Sequence, residues 1–436
     1  MSATSQPPAA AVDRGASSRG SGATPKVDPI EALRQRSQQV LFQNYRRAAV
    51  AFERGEGAKL FGIDGRVYID FLAGIATSSL GHAHPRLVDA ISRQASRYLH
   101  VSNLYEIPEQ IAAAERLVAA SRADASLRGL DRVFFCNSGA EAVEGAIKLA
   151  RRWGHEHGRY EIVSTHGGFH GRTLGALAAT GTPAYQHGFQ PLPLGFRSVP
   201  FGDLEALRGA LGDGSCAVLV EPIQGEGGVI PGGRDYLQAV QRLCRDSGVL
   251  LLLDEVQTGI GRTGTMFGFQ QFGLEPDAIC LAKGLGGGVP VGAVLATEKL
   301  AAVLVPGSHG TTFGGNALAS AAVCAVLDAL EHDGVLASVP RRGERLRLGL
   351  ERLVERLPIQ QVRGCGLMLA IELEASVAAP AVAQRCLENG LLINAVRPQT
   401  LRIVPPLVID EEEIDRGLEI LAVAIAAEVE AGGSRT

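Results

Sequence analysis

Short apolar runs alternate with stretches of helical spacing through the middle of the chain, from about residue 110 to 300. Arg132–Cys136, Glu161–Ser164, Cys216–Val220, Val249–Leu253, Ala278–Ala282 and Val291–Leu295 are dominated by Val, Leu, Ile, Ala, Phe and Cys. Strands buried on both faces lose polar alternation, so these runs predict a mostly parallel sheet covered by helices. Earlier in the chain, Glu31–Phe42 has helical spacing. The extended Val50–Phe52 leads through a turn at Gly55-Glu56-Gly57 to a hairpin-like pair around Ile63-Asp64-Gly65-Arg66, and Pro85–Tyr98 is helical with Leu87, Ile91 and Ala95 on one face.

After a helix over Asn316–Glu331 the pattern changes. A helix at Arg341–Leu357, two short strands within Gln360–Leu373, a helix at Ala381–Asn389, strands at Leu391–Asn394 and Thr400–Val404, and a closing helix from Asp410 predict a smaller α/β lobe. The expected fold class is α/β, with a large domain over residues 86–331 and a small lobe from both chain ends, 29–85 and 332–436. Residues 1–28 are rich in Ser, Ala, Pro and Gly, lack an apolar period and are expected to be disordered. They lack the apolar stretch of a secretory signal, while their Ser content and few acids leave an organelle transit peptide as the alternative.

Composition narrows the function classes. With 436 residues, 46% of them apolar, there is material for a large core and a second lobe. Forty-two basic against 46 acidic residues, with no basic block, argue against nucleic acid or an anionic membrane as partner and toward small molecules. The seven cysteines stand singly without zinc-ligand spacing, as in a reducing cytosol, and the apolar stretch Leu318–Leu330 is too short to span a bilayer and contains Asp328. A soluble, cytoplasmic protein is expected.

Candidate chemistry begins with Asp254 and Lys283, each at the end of a strand-like run. Ligands of open α/β sheets bind beyond the carboxyl ends of strands, so these two ends are expected to share a crevice. A buried, unpaired ammonium costs several kcal/mol and loses basicity, which makes Lys283 a poor structural choice and a good Schiff-base former. A nearby carboxylate would keep a pyridinium nitrogen protonated, as pyridoxal phosphate requires of its partner. Ser138 with Glu141 reads as a capping box, and the amides of Gly139 and Ala140 at that helix start also suit a phosphate. Phe169, among glycines, is either a loop anchor or a platform for a flat ring, and Arg172 beside it is a candidate carboxylate fork. Glu221 and Glu226 leave another strand end, and Arg402 lies between apolar residues, so its charge needs a partner: an anionic substrate or one of those glutamates. Thr311 and Thr312 precede a helix and by themselves mark only its N-terminal region. Gly284–Gly288 lacks dinucleotide spacing, and neither a GxSxG nor a HExxH pattern occurs, which disfavours hydrolase and zinc readings.

Together these residues resemble the class III, ornithine-type aminotransferases, which are fold-type I pyridoxal-phosphate enzymes, over roughly residues 37 to 425. Within that group, Arg54-Gly55-Glu56-Gly57, Asp70–Ala76, Gly81–Pro85, His100–Tyr105 and His309–Asn316 are most similar to the branch acting on acetylornithine. The resemblance implies a transfer of the terminal amine of N2-acetylornithine to 2-oxoglutarate, yielding glutamate. It implies that Lys283 carries pyridoxal 5'-phosphate as a Schiff base, Asp254 pairs with the ring nitrogen and Gln257 contacts the phenolic oxygen. Ser138, Gly139 and Ala140 would hold the phosphate, Phe169 would stack on the ring, and Thr312 would reach the phosphate in the neighbouring subunit of a homodimer. Thr311 would approach the substrate, and Arg172 and Arg402 would bind carboxylates, with Glu226 as the movable counter-ion of Arg402. One departure is Ala140, where many relatives have Thr. Ornithine, succinylornithine, 4-aminobutyrate and lysine-derived amines are the rival donors. An aminomutase or decarboxylase would share the lysine, and a catalytically silent binding module could have lost Lys283 or Asp254.

Overall fold

The computed structural model describes residues 28–433, so the expected tail lies outside the described residues apart from Asp28. The chain divides into two units between Ala51 and Phe52. In the first, the Asp28 carboxylate accepts from the Ile30 amide at 2.9 Å and caps a helix over Pro29–Val40. The strands and the cavity belong to the second unit.

Its first sheet joins both ends of that unit. Strands β1 (Phe52–Glu56), β2 (Lys59–Gly62) and β3 (Val67–Asp70) pair antiparallel, the β2–β3 hairpin turning where Ile63–Arg66 was expected to turn. β3 then pairs in parallel with a two-residue strand, Leu391–Leu392, far along the chain. This supports, as a proposal, a small lobe assembled from residues before 86 and after 331.

The central sheet contains β4 (Arg132–Cys136), β5 (Glu161–Thr165), β6 (Phe196–Val199), β7 (Ser215–Val220), β10 (Leu250–Asp254), β11 (Ala278–Leu281) and β12 (Gly292–Ala296), ordered β4-β12-β11-β10-β7-β5-β6. Between β7 and β10 the short strands β8 (Ile223–Gln224) and β9 (Ile230–Pro231) form a separate hairpin. Every residue of β7, β10, β11 and β12 is buried, which is why these segments are unbroken apolar runs. β12 runs against both of its neighbours, so the sheet is mostly rather than wholly parallel. Only residues 282–291 connect β11 to β12. A parallel crossover takes about a dozen residues or more, usually with a helix, so the short connection returns the chain antiparallel.

A second four-stranded sheet, ordered β13-β14-β17-β16, is built from β13 (Ile359–Cys365), β14 (Met368–Leu373), β16 (Asn394–Arg397) and β17 (Thr400–Ile403), with Leu391–Leu392 as β15. The single strand expected at Leu391–Asn394 is thus divided between two sheets. The helix expected at Arg341 starts at Val335, after Gly334, and runs through Pro340. Val335 and Val339 are buried, and their packing holds the extra turn despite the missing proline amide. No helix among the described residues is long and apolar enough to cross a membrane.

Candidate active site

The carboxyl ends of β4, β5, β7, β10 and β11 open onto one cavity of about 430 Å³. At the end of β4, Ser138 caps the helix Gly139–Gly154, its hydroxyl accepting from the Glu141 amide at 3.2 Å. The expected reciprocal half of the box is displaced by one residue: the Glu141 carboxylate accepts from the backbone and side-chain nitrogens of Asn137, at 2.7 and 2.8 Å. The helix start, with amides lacking helical partners, faces the cavity at Ser138, Gly139 and Ala140. A Cβ at Gly139 would come within 2.9 Å of Val256, so only glycine fits there without a shift.

Beyond β5, the Phe169 amide donates to Glu221 at 2.9 Å and its ring meets Tyr185 edge-on at 5.8 Å. The exposed Arg172 lays its guanidinium over Tyr185 at 4.1 Å and Phe169 at 5.5 Å. Between them the buried His170 donates from Nδ1 to Asp254 at 2.8 Å, while its Nε2 has no partner among the described residues. Burial works against an imidazolium here, but the hydrogen bond and charge of Asp254, with Glu221 adding, raise the His170 pKa. The other Asp254 oxygen accepts from the Val256 amide at 3.0 Å, so both carboxylate oxygens are oriented. Glu221 is pushed above the usual carboxylate range by burial; His170 and the amides of Gly225 and Phe169 oppose this, and Asp254 adds to it.

Lys283 begins a short 3-10 turn directly after Ala282 with φ +47, a left-handed conformation that L-residues seldom keep without support. The support includes the Ser79 hydroxyl, which donates to the Gly284 carbonyl at 3.1 Å. Burial and then the positive charge of Arg402 lower the Lys283 pKa, against the pull of Glu226, Asp254 and Glu221. Arg402 is fully buried on β17. It donates from Nη1 to Glu226 at 2.5 Å and to the Gln257 side chain at 3.3 Å, while Nη2 has no partner among the described residues.

Lys283, Asp254, Ser138, Gly139, Ala140, Phe169, Arg172, Gln257 and Glu226 therefore line one cavity, and Arg402 contacts two of them. Thr311 and Thr312 do not line it. Thr311 accepts from Asn137 at 3.1 Å, and Thr312 is exposed. Of the two glutamates offered as partners of Arg402, Glu226 takes that place and Glu221 accepts from the Phe169 and Gly225 amides instead; Thr77, His170 and Val256 line the cavity but were assigned no role from sequence. For His170 the signal was present: a histidine within a glycine-rich turn leaving a buried strand has few ways to satisfy its ring except another site residue.

The chain is similar to known proteins over most of its length. Residues 41–425 match the family described as Aminotransferase class-III. An acetylornithine aminotransferase from Gloeobacter violaceus is 49% identical over 394 residues, 89% of this chain and 96% of that protein. The crystal structure of an N-acetylornithine aminotransferase from Stenotrophomonas maltophilia has a TM-score of 0.77 and 39% identity, covering 91% of this chain and 99% of that one. An ornithine aminotransferase from Toxoplasma gondii, with partial occupancy of PLP at its active site, has a TM-score of 0.88 and 34% identity, covering 94% of this chain and 96% of that one.

Proposed function

The chain belongs to the class-III aminotransferase family, and from that premise we propose that it transfers the terminal amino group of N2-acetyl-L-ornithine to 2-oxoglutarate, giving N-acetyl-L-glutamate 5-semialdehyde and L-glutamate. Its cofactor is pyridoxal 5'-phosphate, its working unit a homodimer and its compartment the cytoplasm. The observation that carries the reading is the shared cavity itself. A lysine of lowered basicity and a carboxylate fixed by a buried histidine line it, and a buried arginine, with one nitrogen unpartnered among the described residues, contacts two of its lining side chains.

The donor set fits the cofactor. The helix start at Ser138–Ala140 supplies amides and a dipole for a phosphate, and Ala140, which has no hydroxyl, contributes its backbone alone. Phe169 offers a ring face, and Gln257 offers a side-chain amide on the same cavity. Asp254, oriented by His170 and the Val256 amide, suits a protonated ring nitrogen; such a pair at about 3 Å attracts by roughly 5 kcal/mol at an effective dielectric near 20. When bound, pyridoxal phosphate supplies an electron sink for the carbon that bears the reacting amine.

The remaining work falls to side chains of this protein. The Lys283 amine removes the proton from the substrate carbon and later returns one, which requires it to be neutral at working pH; burial and Arg402 both favour that form. Arg172, which lines the cavity, and Arg402, which contacts its lining residues Glu226 and Gln257, bind carboxylates. Glu226 covers Arg402 until a second carboxylate displaces it, so one site serves an amine with one carboxylate and an oxo acid with two.

A panel of terminal amines, each assayed with 2-oxoglutarate for stoichiometric glutamate, tests the reading. N2-acetylornithine is expected to give the highest kcat/KM, and Lys283→Ala none. A faster reaction with ornithine, succinylornithine or 4-aminobutyrate would move the assignment to that donor.

A further inference from the structure

Three arginines on one sheet face grip three consecutive residues of the loop that carries Glu226. That loop, residues 225–229, turns the hairpin between β8 and β9. In the sheet β13-β14-β17-β16, Arg363 stands opposite Ala370, Ala370 opposite Arg402, and Arg402 opposite Asn394. Directly opposed residues share a face, so the two arginines flank a small residue that leaves room for both long side chains. Two positions along, Glu372 stands opposite Thr400, and Thr400 opposite Arg397 beyond a bulge.

From this face Arg402 holds the Glu226 side chain at 2.5 Å, Arg397 donates from Nε to the Gly227 carbonyl at 2.5 Å, and Arg363 donates from Nε to the Gly228 carbonyl at 2.8 Å. Arg363 is itself fixed, since its Nη2 donates to Glu372 at 2.7 Å and Thr400 donates to the same oxygen at 2.6 Å. The loop is gripped from its other side as well. The Gly225 amide donates to Glu221 at 3.0 Å, and a Cβ on Gly225 would lie 2.6 Å from Gln257. Val229 keeps a φ of +53, a left-handed conformation that a β-branched residue holds only where its surroundings impose it. Neither Arg363 nor Arg397 lines the cavity.

Resting on the reading that Glu226 masks Arg402 for one substrate and releases it for the other, we propose that Arg363 and Arg397 are positioning residues that latch the backbone of loop 225–229. Glu226 then leaves Arg402 by side-chain rotation alone, and the latch sets how strongly the site discriminates a dicarboxylate oxo acid from an amine with one carboxylate. A latched backbone keeps the Glu226 carboxylate at high effective concentration beside Arg402. A dicarboxylate has to displace it, so its apparent affinity is reduced by the fraction of molecules in which Arg402 is free. Loosening the latch raises that fraction, while the amine that binds beside the closed pair gains nothing.

Arg397 is exposed, so Arg397→Gln tests the latch without opening the core. The KM for 2-oxoglutarate is expected to fall about three- to tenfold relative to that for acetylornithine, with kcat changing less than about twofold, as a shift in the free fraction of Arg402 predicts. Amide hydrogen exchange over residues 225–229 is expected to quicken while that of the helix Gly139–Gly154 stays unchanged. Arg397→Lys, which keeps a donor for the Gly227 carbonyl, is expected to fall between the two. Equal changes in both KM values, or faster loop exchange with an unchanged KM ratio, would overturn the latch. Glu226→Ala separates the two levels. If it leaves the relative KM values unchanged, the masking role of Glu226 fails; if it shifts them and Arg397→Gln does not, only the latch fails.

Discussion

At the residue scale, Lys283 owes its chemistry to its neighbours rather than to its own side chain. Burial, and after it the charge of Arg402, pull its pKa down from the ordinary 10.5. The neutral amine is the nucleophile and the base, so lowering the pKa makes it available at lower pH. In cofactor-free protein, the rate of Lys283 acylation against pH is therefore expected to titrate below 10.5, and Arg402→Met to move that midpoint upward. An unchanged midpoint would mean that Arg402 does not reach the lysine electrostatically. Asp254 and Lys283 were legible in the sequence because a charged residue closing a buried strand needs a reason. His170 was less so, because its partner Asp254 lies 84 positions away and only the fold joins them.

At the element scale, the strands and helices are legible in apolar spacing, and what spacing leaves open or misplaces has identifiable causes. The direction of β12 follows from the length of its connection, which spacing within the strand does not record. Pro340 suppressed the first turn of its helix in the reading, although tertiary packing of Val335 and Val339 outweighs the local penalty. Another element-scale contact carries a pH dependence. Glu255, the buried neighbour of Asp254, accepts from the amides of Gly268 and Phe269 at 2.5 and 2.6 Å and ties β10 to the short helix Gly268–Phe272. Burial raises its pKa to about 7, against those hydrogen bonds and that from Thr258. The folded chain thus holds a proton that the unfolded chain, near 4.5, releases earlier, so this contribution to stability is present below 4.5 and lost as pH rises through about 7. His170, also raised, acts in the same direction as its own folded pKa is passed. The melting temperature of the cofactor-free protein is expected to fall from about pH 5 to pH 8, and Glu255→Gln to flatten that slope while lowering stability overall. A slope unaffected by Glu255→Gln would remove this carboxyl from the account.

At the scale of the whole molecule, nearly every expected site residue comes together in one chain, and the exceptions share a location. Thr311 and Thr312 sit on the segment before the helix Ala317–His332, outside the cavity, with Thr312 exposed. A homodimer in which Thr312 serves the opposite site accounts for that placement. Mixing Lys283→Ala chains with Thr312→Ala chains is then expected to restore one complete site per mixed dimer. The readout is a fraction of tight pyridoxal phosphate binding that neither variant shows alone, and its absence would mean that Thr312 does not act across subunits. What remained illegible at this scale is the contact between β16, β17 and the Glu226 loop, because no periodicity links segments separated by so much chain. The most direct test of the central claim is borohydride reduction of the protein with pyridoxal phosphate, followed by peptide mapping. One pyridoxyl label, on Lys283, is the predicted result; a label on any other residue, or no label, would contradict the assignment of this cavity as the catalytic site.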